Sequence, residues 1–424
     1  MRRRATASWA APLAAMALVT AGCTSTPVAG SEAELVWAAG PSSEMSVAPA
    51  EAIADRWNKL HPDGPRVRVR ALPESADDQH QQLKLELNAG LDEFDILELD
   101  LIWTAEFAQN GWLVDLEELR PDLERVSLPV AVQSAVWDGR LWAAPYTTDA
   151  GILYYRSDLV EEPPTTWEEL RDVGLRVGAK QGIAPLAADG EQYEGMVVQY
   201  LEYFWGAGGD FDRFTARDPV QRDNALKAAN FMRKAFFEGV FAPGYDGMKH
   251  NEARDTFQSG QAVFMRSWPY VYREMNRQDP DSDSQVIGKV GIAPLPTFAG
   301  SGASSGAALG GHNLAVSRFS DNVPAATEFV RFVSTSREVQ RELVEQYSLA
   351  PTLRASYEDL SGDPLVDLLA AVLPTAKARP AVPEWTTISE EMQQQIFAAY
   401  TGDNELAPEI DALRNFIDAT TGDR

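Results

Sequence analysis

At 424 residues the chain is longer than one hydrophobic core usually serves, so the sequence predicts two lobes. Its 63 acidic residues outnumber 37 lysines and arginines, which gives a formal net charge of −26 at pH 7. Such a charge repels nucleic acid and anionic membrane surfaces, so the composition argues against both as partners.

The first residues are typical of a secretory leader. Three arginines at 2–4 precede an apolar run from Trp9 to Val19, which is too short for a membrane anchor, so residues 1–22 are predicted to be a signal peptide. Cys23, the only cysteine of the sequence, follows Ala21-Gly22, and this ending resembles a lipobox in which the cysteine becomes lipidated. Thr20 stands where such motifs usually carry leucine, and the alternative is plain secretion with an incidental cysteine. Small and polar residues at 23–32 predict a tether.

Strands and helices alternate in the next stretch. The predicted elements are a strand at 34–37, a helix carrying apolar residues at 53–60, a strand around 67–69, a helix around 83–87 and a strand at 94–100. This order is typical of an open α/β sheet, whose ligands lie beyond the carboxyl ends of the strands. Asp100 stands at such an end, and Trp103 is predicted to open the next helix.

A second lobe is predicted to begin after a hairpin at 139–145, with 146–149 as its first loop. The elements that follow are a strand at 152–155, a helix capped by Thr166, a helical section at 193–240, a strand at 289–296, a Gly/Ser/Ala-rich crossing loop at 297–308, a strand at 309–317 that rejoins the first sheet, a helix at 325–334 and a mostly helical remainder. We therefore expect an N-terminal lobe of residues 33–147 and 297–335, and a C-terminal lobe of residues 148–296 and 336–424.

The segment Phe257–Tyr272 carries the clearest functional signal. After a short apolar strand, Pro269 cannot donate to a sheet and holds Trp268 in an extended backbone, so a large aromatic ring stands at a strand end. A flat ring in a chain rich in carboxylates suits a sugar, whose C–H face stacks on the ring while its hydroxyls meet polar groups. The alternative is that Trp268 and Tyr270 are core side chains.

Several stretches together carry a resemblance to a known family. They are Leu99-Asp100 with Trp103 and Gly111–Leu113, Asp149–Arg156, Glu191–Gly195, Phe257–Tyr272, Lys289–Pro296, Leu309–Gly311 and Ala378–Pro383. The chain resembles the extracytoplasmic substrate-binding proteins of sugar ABC importers, most closely the trehalose/maltose-binding type. The resemblance implies an α/β periplasmic-binding-protein fold, in which two lobes joined by a multi-strand hinge close over the sugar. It also implies a lipid-anchored monomer that uses no cofactor, performs no reaction and serves membrane permease subunits.

The same resemblance implies roles for particular residues. Asp100 and Asp149 would accept hydrogen bonds from glucosyl hydroxyls, each from a different lobe, while Trp268 would stack on a ring face with Tyr270 beside it. Backbone N–H groups at Gly310 and Gly311 would approach the sugar closely, which is a physical use of glycine. The planar fork of Arg379 would bridge two hydroxyls.

Four further residues correspond to site positions of the family, although the sequence around them differs from the usual family pattern. Glu44 and Gln81 fall where the family places a first-lobe acid and a polar side chain. His312 replaces an aromatic that commonly follows the glycine pair, and only Glu252 keeps an acidic pattern before the helix that leads to Phe257. Trehalose is the first choice of ligand, and maltose or a short gluco-oligosaccharide is the alternative.

Each candidate also has a purely structural alternative. Asp100 could cap a helix, Asp149 could cap a turn, Arg379 could pair with a surface acid, and His312 could face solvent. Gly310 and Gly311 could merely relieve crowding between strands. Glu191 and Glu194 are expected on a packed lobe surface and not in the site.

Enzymatic alternatives find little support. Gly302–Gly306 fits Gly-x-Ser-x-Gly but lies in a predicted loop, without the strand and helix of a nucleophile elbow. The four histidines lack metal-ligand spacing. A secreted glycoside hydrolase, which needs two carboxyl groups about 5–10 Å apart, is the runner-up class.

Overall fold

The protein is described here by a computed structural model that covers residues 34–41, 46–214, 218–276, 283–402 and 405–422. The predicted leader and tether, with Cys23, lie outside the described residues, as does Glu44. The strands in chain order are β1 (Glu34–Ala39), β2 (Arg66–Ala71), β3 (Ile96–Asp100), β4 (Val136–Trp137), β5 (Arg140–Leu141), β6 (Ala144–Ala150), β7 (Ile152–Arg156), β8 (Ala184–Ala187), β9 (Ala262–Ser267), β10 (Val290–Pro294) and β11 (Leu309–Val316).

Helices surround these strands. In chain order they are α1 (Ala48–Leu60), α2 (Ala76–Asn88), α3 (Thr104–Gln109), α4 (Arg120–Val126), α5 (Pro129–Ser134), α6 (Trp167–Gln181), α7 (Glu194–Gly206), α8 (Pro219–Phe237), α9 (His250–Gln258), α10 (Val271–Asn276), α11 (Val323–Thr335), α12 (Arg337–Tyr347), α13 (Arg354–Asp359), α14 (Pro364–Val372), α15 (Trp385–Thr401) and α16 (Leu406–Thr421). Thr166 caps α6 as predicted, since its hydroxyl accepts a hydrogen bond from Glu169 N at 3.1 Å.

The first lobe is built on a sheet with the strand order β2-β1-β3-β11-β6 among the described residues. β1 runs parallel to β2 and β3, whereas β11 runs antiparallel to β3 and β6. Trp37 of β1 is fully buried and meets Tyr146 and Phe329 edge-on, each at a ring-centroid distance of 5.5 Å. This contact joins the sheet to α11 and forms the centre of the first core.

The second lobe is built on a sheet with the order β10-β7-β9-β8. β7 pairs antiparallel with β9 and β10, and β8 runs parallel to β9. Helices α7, α8, α15 and α16 pack together beside it, and Trp167 of α6 meets Tyr203 of α7 at 4.7 Å. The chain thus forms two α/β lobes, as the sequence predicts.

One part of the sequence-based element prediction is wrong. Residues 146–149 do not form a loop of the second lobe, because they lie inside β6, where every residue is buried and the strand pairs with β11. The hairpin is formed by β4 and β5, which turn at Asp138 and Gly139, both with positive φ. Tyr146, Thr147 and Thr148 carry the aromatic and β-branched side chains that favour strands, and this preference prevails.

The chain crosses between the lobes at Gly151, which lies between β6 and β7 and donates a hydrogen bond from its N–H to Ala308 O at 3.1 Å. The predicted lobe boundaries remain a prediction. Helix α12 packs against α1 and α11 of the first lobe, which favours a later boundary than residue 336. Within the described part of the chain, every helix is too short or too polar to cross a membrane.

Gly151 is expected to tolerate no side chain. A Cβ there would collide with Glu202 Oε1 and lie 2.8 Å from Arg266 Nη2, two groups that form a buried ion pair. We expect Gly151→Ala to lower the free energy of unfolding by about 1–3 kcal/mol, as overpacking of a core does. Urea denaturation measures this loss. Gly247→Ala is the matched control, because no atom lies within 4 Å of its Cβ position; equal losses in both variants would contradict the expectation.

Candidate ligand-binding site

A cavity of about 180 Å³ lies between the two lobes. The sequence-predicted residues that line it are Asp100, Asp149, Trp268, Tyr270, Gly310, Gly311, His312 and Arg379. Asp100 ends β3 and Asp149 lies in β6, while Trp268 and Tyr270 follow β9 of the other sheet. Asp100 and Arg379, 279 positions apart in the sequence, therefore share one space, as the two-lobe prediction requires.

A chain of buried charges crosses the cavity. Arg379 Nη2 donates to Asp100 Oδ1 at 3.0 Å, and Nη1 donates to Glu194 Oε1 at 2.6 Å. Desolvation alone would lower the pKa of Arg379, but Asp100 and Glu194 outweigh burial and raise it above its usual value. Arg379 therefore stays charged and joins β3 of the first lobe to α7 of the second.

The structural alternatives for Asp100 and Arg379, a helix cap and a surface ion pair, can be compared with these contacts. Asp100 does act as a cap, because its Oδ1 also accepts a hydrogen bond from Ile102 N at 3.2 Å at the start of a 3-10 turn over Leu101–Trp103. It pairs with Arg379 and lines the cavity at the same time. Arg379 is itself buried and pairs with cavity acids, not with a surface acid.

Asp149 is the second-last residue of β6 and caps no turn. Because β6 belongs to the same sheet as β3, the prediction that Asp100 and Asp149 come from different lobes is wrong. Its side chain is buried, with 7% of the residue exposed, and among the described residues its Oδ1 has no hydrogen-bond partner. Burial raises the pKa of Asp149 to about 8. A buried carboxyl oxygen without a partner costs free energy, so this atom is ready to pair with a polar group that enters the cavity.

The indole of Trp268 forms one wall. The ring is half-buried and packs against the core, and the backbone carbonyl of Trp268 accepts a hydrogen bond from Tyr154 OH at 2.8 Å. The ring packs on Gly310, where a Cβ would lie 2.7 Å from Trp268 Cζ3. Gly311 has φ of 117°, and a Cβ there would lie 2.6 Å from Thr148 Cα. Both glycines thus relieve crowding, and both expose backbone to the cavity.

His312 faces Asp100 across the β11–β3 register and is half-exposed. Its Nδ1 lies 3.8 Å from Oε1 of Glu98, a buried acid that also lines the cavity. Burial raises the pKa of Glu98 to about 8, although a hydrogen bond from the backbone of Gly40 opposes the shift. Within the described ranges, no group of three or more His, Cys, Asp or Glu side chains is placed to hold a metal ion.

Two predicted residues do not reach this cavity. Gln81 of α2 lines a separate cavity of about 480 Å³ between α2 and α15, and Gln79, two positions earlier, lines the main one. Glu252 is exposed and caps α9, where its carboxylate accepts a hydrogen bond from Lys249 N at 3.0 Å. From that helix, His250 and Asn251 face the cavity instead.

The cavity residues that the sequence pattern does not place in the site include Glu194, Glu98 and Tyr193, besides Gln79, His250 and Asn251. Glu194 was expected on a packed lobe surface, yet it opens α7 and binds Arg379. Glu98 stands two residues before Asp100 and so shares a face of β3 with it, a spacing that could have indicated its position. Tyr193 lines the cavity from the N-cap position of α7 and donates a hydrogen bond from its OH to Asp189.

Comparison with known proteins assigns the fold to a family. Residues 41–340 match the family of bacterial extracellular solute-binding proteins. The chain belongs to this family. Among solved structures, the maltose-bound MalE3 of T. maritima superposes with a TM-score of 0.81 and is 30% identical, over 91% of this chain and all of that one. The two-lobe periplasmic-binding-protein fold implied by the sequence is thereby confirmed.

Curated relatives agree with this assignment. A probable ABC transporter-binding protein of Deinococcus radiodurans is 30% identical over 85% of this chain and 87% of its own length. A maltotriose-binding protein of Pyrococcus abyssi is 24% identical, over 80% of this chain and 70% of its own length.

Glu98 should make the stability of this solute-binding protein depend on pH. The folded protein holds the Glu98 proton up to about pH 8, whereas the unfolded chain releases it near its ordinary pKa of 4.5. The stability that this proton contributes is present at low pH and is lost as the pH rises between those values. Glu98→Gln cannot titrate, so its free energy of unfolding should rise relative to that of the wild type across this range, by up to about 1.4 kcal/mol per pH unit.

Urea unfolding of both proteins at about pH 5, 6, 7 and 8 measures this difference. Glu162→Gln is the control, because Glu162 is exposed and its variant should run parallel to the wild type. A Glu98→Gln curve that is also parallel would show that Glu98 is ionised in the folded protein.

Proposed function

We propose that this protein is the substrate-binding component of an ABC importer that captures an α-linked glucose disaccharide, with trehalose as the first choice, and delivers it to permease subunits in the membrane. The observation that carries the proposal is the convergence of Asp100, Asp149, Arg379 and Trp268 from two lobes on one cavity. Carboxyl groups and a guanidinium match sugar hydroxyls, and an indole matches the C–H face of a pyranose ring.

In this proposal the sugar works as a bridge. Asp100 belongs to the sheet of the first lobe, and Trp268 follows a strand of the second. A ligand that touches both residues binds the closed arrangement more tightly than an open one, so binding shifts the population toward closure. Closure is then the signal that a permease reads.

The relatives support a sugar as the class of ligand. The Pyrococcus abyssi protein is a maltotriose-binding protein, MalE3 carries maltose, and a Bacillus subtilis relative with 25% identity is a galactooligosaccharide-binding protein. Trehalose as first choice rests on the resemblance of the sequence motifs. Maltose or a short gluco-oligosaccharide is the alternative within this class.

The cellular setting belongs to the same proposal. Residues 1–22 would be removed as a signal peptide and Cys23 would be lipidated, so the protein would act as a monomer outside the cytoplasmic membrane, held by its anchor. The predicted boundaries near residues 147, 297 and 336 would move to the crossings at Gly151 and Ala308 and toward the end of α12, because β6 pairs with β11, residues 297–298 bond to the second lobe, and α12 packs on α1.

A thermal-shift panel of trehalose, maltose, maltotriose and sucrose tests the ligand. A sugar at about a hundred times its dissociation constant should add about 2.7 kcal/mol to the free energy of unfolding. We expect the largest rise in melting temperature with trehalose. A larger rise with maltose would transfer the assignment to it, and no rise with any sugar would refute the proposed class. Glucose assayed in the same samples should stay absent, since its release would reveal a hydrolase.

Trp268 should carry a large part of the sugar affinity. We expect Trp268→Ala to weaken trehalose binding by about 2 kcal/mol or more, close to 30-fold, as loss of an aromatic anchor does. Isothermal titration calorimetry measures the change. Tyr272→Ala is the matched control, because Tyr272 is half-buried in the same segment but does not line the cavity. Unchanged affinity in Trp268→Ala would remove the stacking role.

A further inference from the structure

We propose that Arg266 is a positioning residue for the indole of Trp268, and that it fixes this ring relative to the points where the chain crosses between lobes. The inference deepens the proposed function and rests on it in one respect, that Trp268 is the surface on which the sugar stacks.

Arg266 is a buried cation in the middle of a strand. It lies in β9 with 1% of the residue exposed, a rare position for an arginine. Its Nε and Nη2 donate to the two oxygens of Glu202 at 2.7 and 2.6 Å, and Nη1 lies 3.7 Å from Asp189 Oδ2. Desolvation alone would lower the pKa of Arg266, but Glu202 outweighs it, so the side chain stays charged.

The guanidinium of Arg266 lies directly against the indole. Its Cζ is 4.2 Å from the centroid of the Trp268 ring, which is contact distance for a stacked cation. Residues 266 and 268 are two positions apart, so their side chains leave the extended chain on the same side. One face of the indole is therefore covered by Arg266, and the opposite face is the one that the ring can present to the cavity.

The partner of Arg266 lies against two of the crossings between the lobes, those at Ala308 and Gly151. Glu202 Oε1 accepts a hydrogen bond from Ala308 N at 3.3 Å, just before β11 begins. At the other crossing, a Cβ on Gly151 would lie 2.8 Å from Arg266 Nη2. The ion pair of Arg266 and Glu202 thus packs against the backbone at these two crossings. Because the indole stacks on the guanidinium plane, the fixed guanidinium also fixes the orientation of the Trp268 ring.

A buried ion pair could also serve stability alone, and such pairs are weak evidence for a stabilising role. The planar guanidinium makes it possible to distinguish a purely stabilising ion pair from a residue that orients the indole. Lysine can keep the charge and one contact to Glu202, but it has no flat surface against which an indole can stack. Arg266→Lys therefore separates the orientation of the ring from the pairing of charge.

A double-mutant cycle between Arg266 and Trp268 tests the proposal. Trehalose affinity is measured by calorimetry for the wild type, Arg266→Lys, Trp268→Ala and the double variant, with maltose titrated in parallel. We expect Arg266→Lys to weaken binding about tenfold in the wild-type background and less than twofold when Trp268 is absent. An equal loss in both backgrounds, or no loss in either, would overturn the positioning role.

A ligand-free measurement keeps the test independent of the sugar. With 5-fluorotryptophan in place of tryptophan, the ¹⁹F resonance of Trp268 is identified by its disappearance in Trp268→Phe. We expect Arg266→Lys to shift this resonance in the absence of sugar, whereas Arg222→Lys, which alters a surface pair with Asp411, should leave it in place. An unshifted resonance would overturn the inference. If the wild type binds no sugar of the thermal-shift panel, the proposed function fails and the ¹⁹F result alone decides the role of Arg266.

A second variant covers the case in which Arg266→Lys does not fold. Arg266→Gln combined with Glu202→Gln removes the cation together with its bidentate partner, while Asp189, which also loses Arg266, keeps its contacts with Tyr193 OH and His250 Nδ1. The same shift of the Trp268 resonance and the same dependence of affinity on Trp268 are expected. Wild-type ring position and wild-type affinity in this double variant would overturn the proposal.

Discussion

The charge on Arg379 is the constraint on which the cleft depends. A guanidinium so deeply buried is tolerated only because Asp100 and Glu194 accept its hydrogen bonds from opposite sides. Removal of one partner from such a pair typically costs about 3–5 kcal/mol. Asp100 belongs to the first lobe and Glu194 to the second. The lobes therefore cannot separate between these two acids without exposing Arg379 to water. Opening and solvation of the cation are therefore coupled, and a ligand has to compete with or join that pairing.

The polar groups of the cavity differ in how they are satisfied. Asp100 is paired, and its hydrogen bonds hold it in place before any ligand arrives. Asp149 has a buried oxygen without a partner, and Glu98 keeps its proton to high pH through burial. A paired group such as Asp100 stays in place without a ligand. Asp149, whose buried oxygen has no partner, gains the most free energy when a ligand hydroxyl group forms a hydrogen bond with it. A polyhydroxylated ligand suits this division, because it can supply both donors and acceptors at short spacing.

Local patterns in the sequence predicted most of the elements, because strand alternation, helical spacing and caps depend on near neighbours. The failures have a different origin. Gln81 lies two positions, about 200°, around α2 from Gln79, so a loose motif match selected the wrong helical phase. Glu194 was read as a surface acid because its partner, Arg379, is 185 residues away and only the folded chain brings them together. Residues 146–149 were read as a loop because their pairing partner, β11, follows far along the chain.

The continuity of β6 and β7 has a consequence for how such a protein can change. Asp149 faces the cavity from β6, and two residues later the same backbone passes Gly151 into the other sheet. The part of the cavity formed by β6 and the crossing at Gly151 thus belong to one continuous stretch of backbone. A mutation that changes the cavity wall at β6 therefore also changes how the backbone can bend at the crossing between the lobes. Selection for a new nutrient would therefore act on ligand preference and on the open–closed equilibrium together, and divergence should proceed more easily through cavity residues such as Asn251 of α9, which lie away from the crossings.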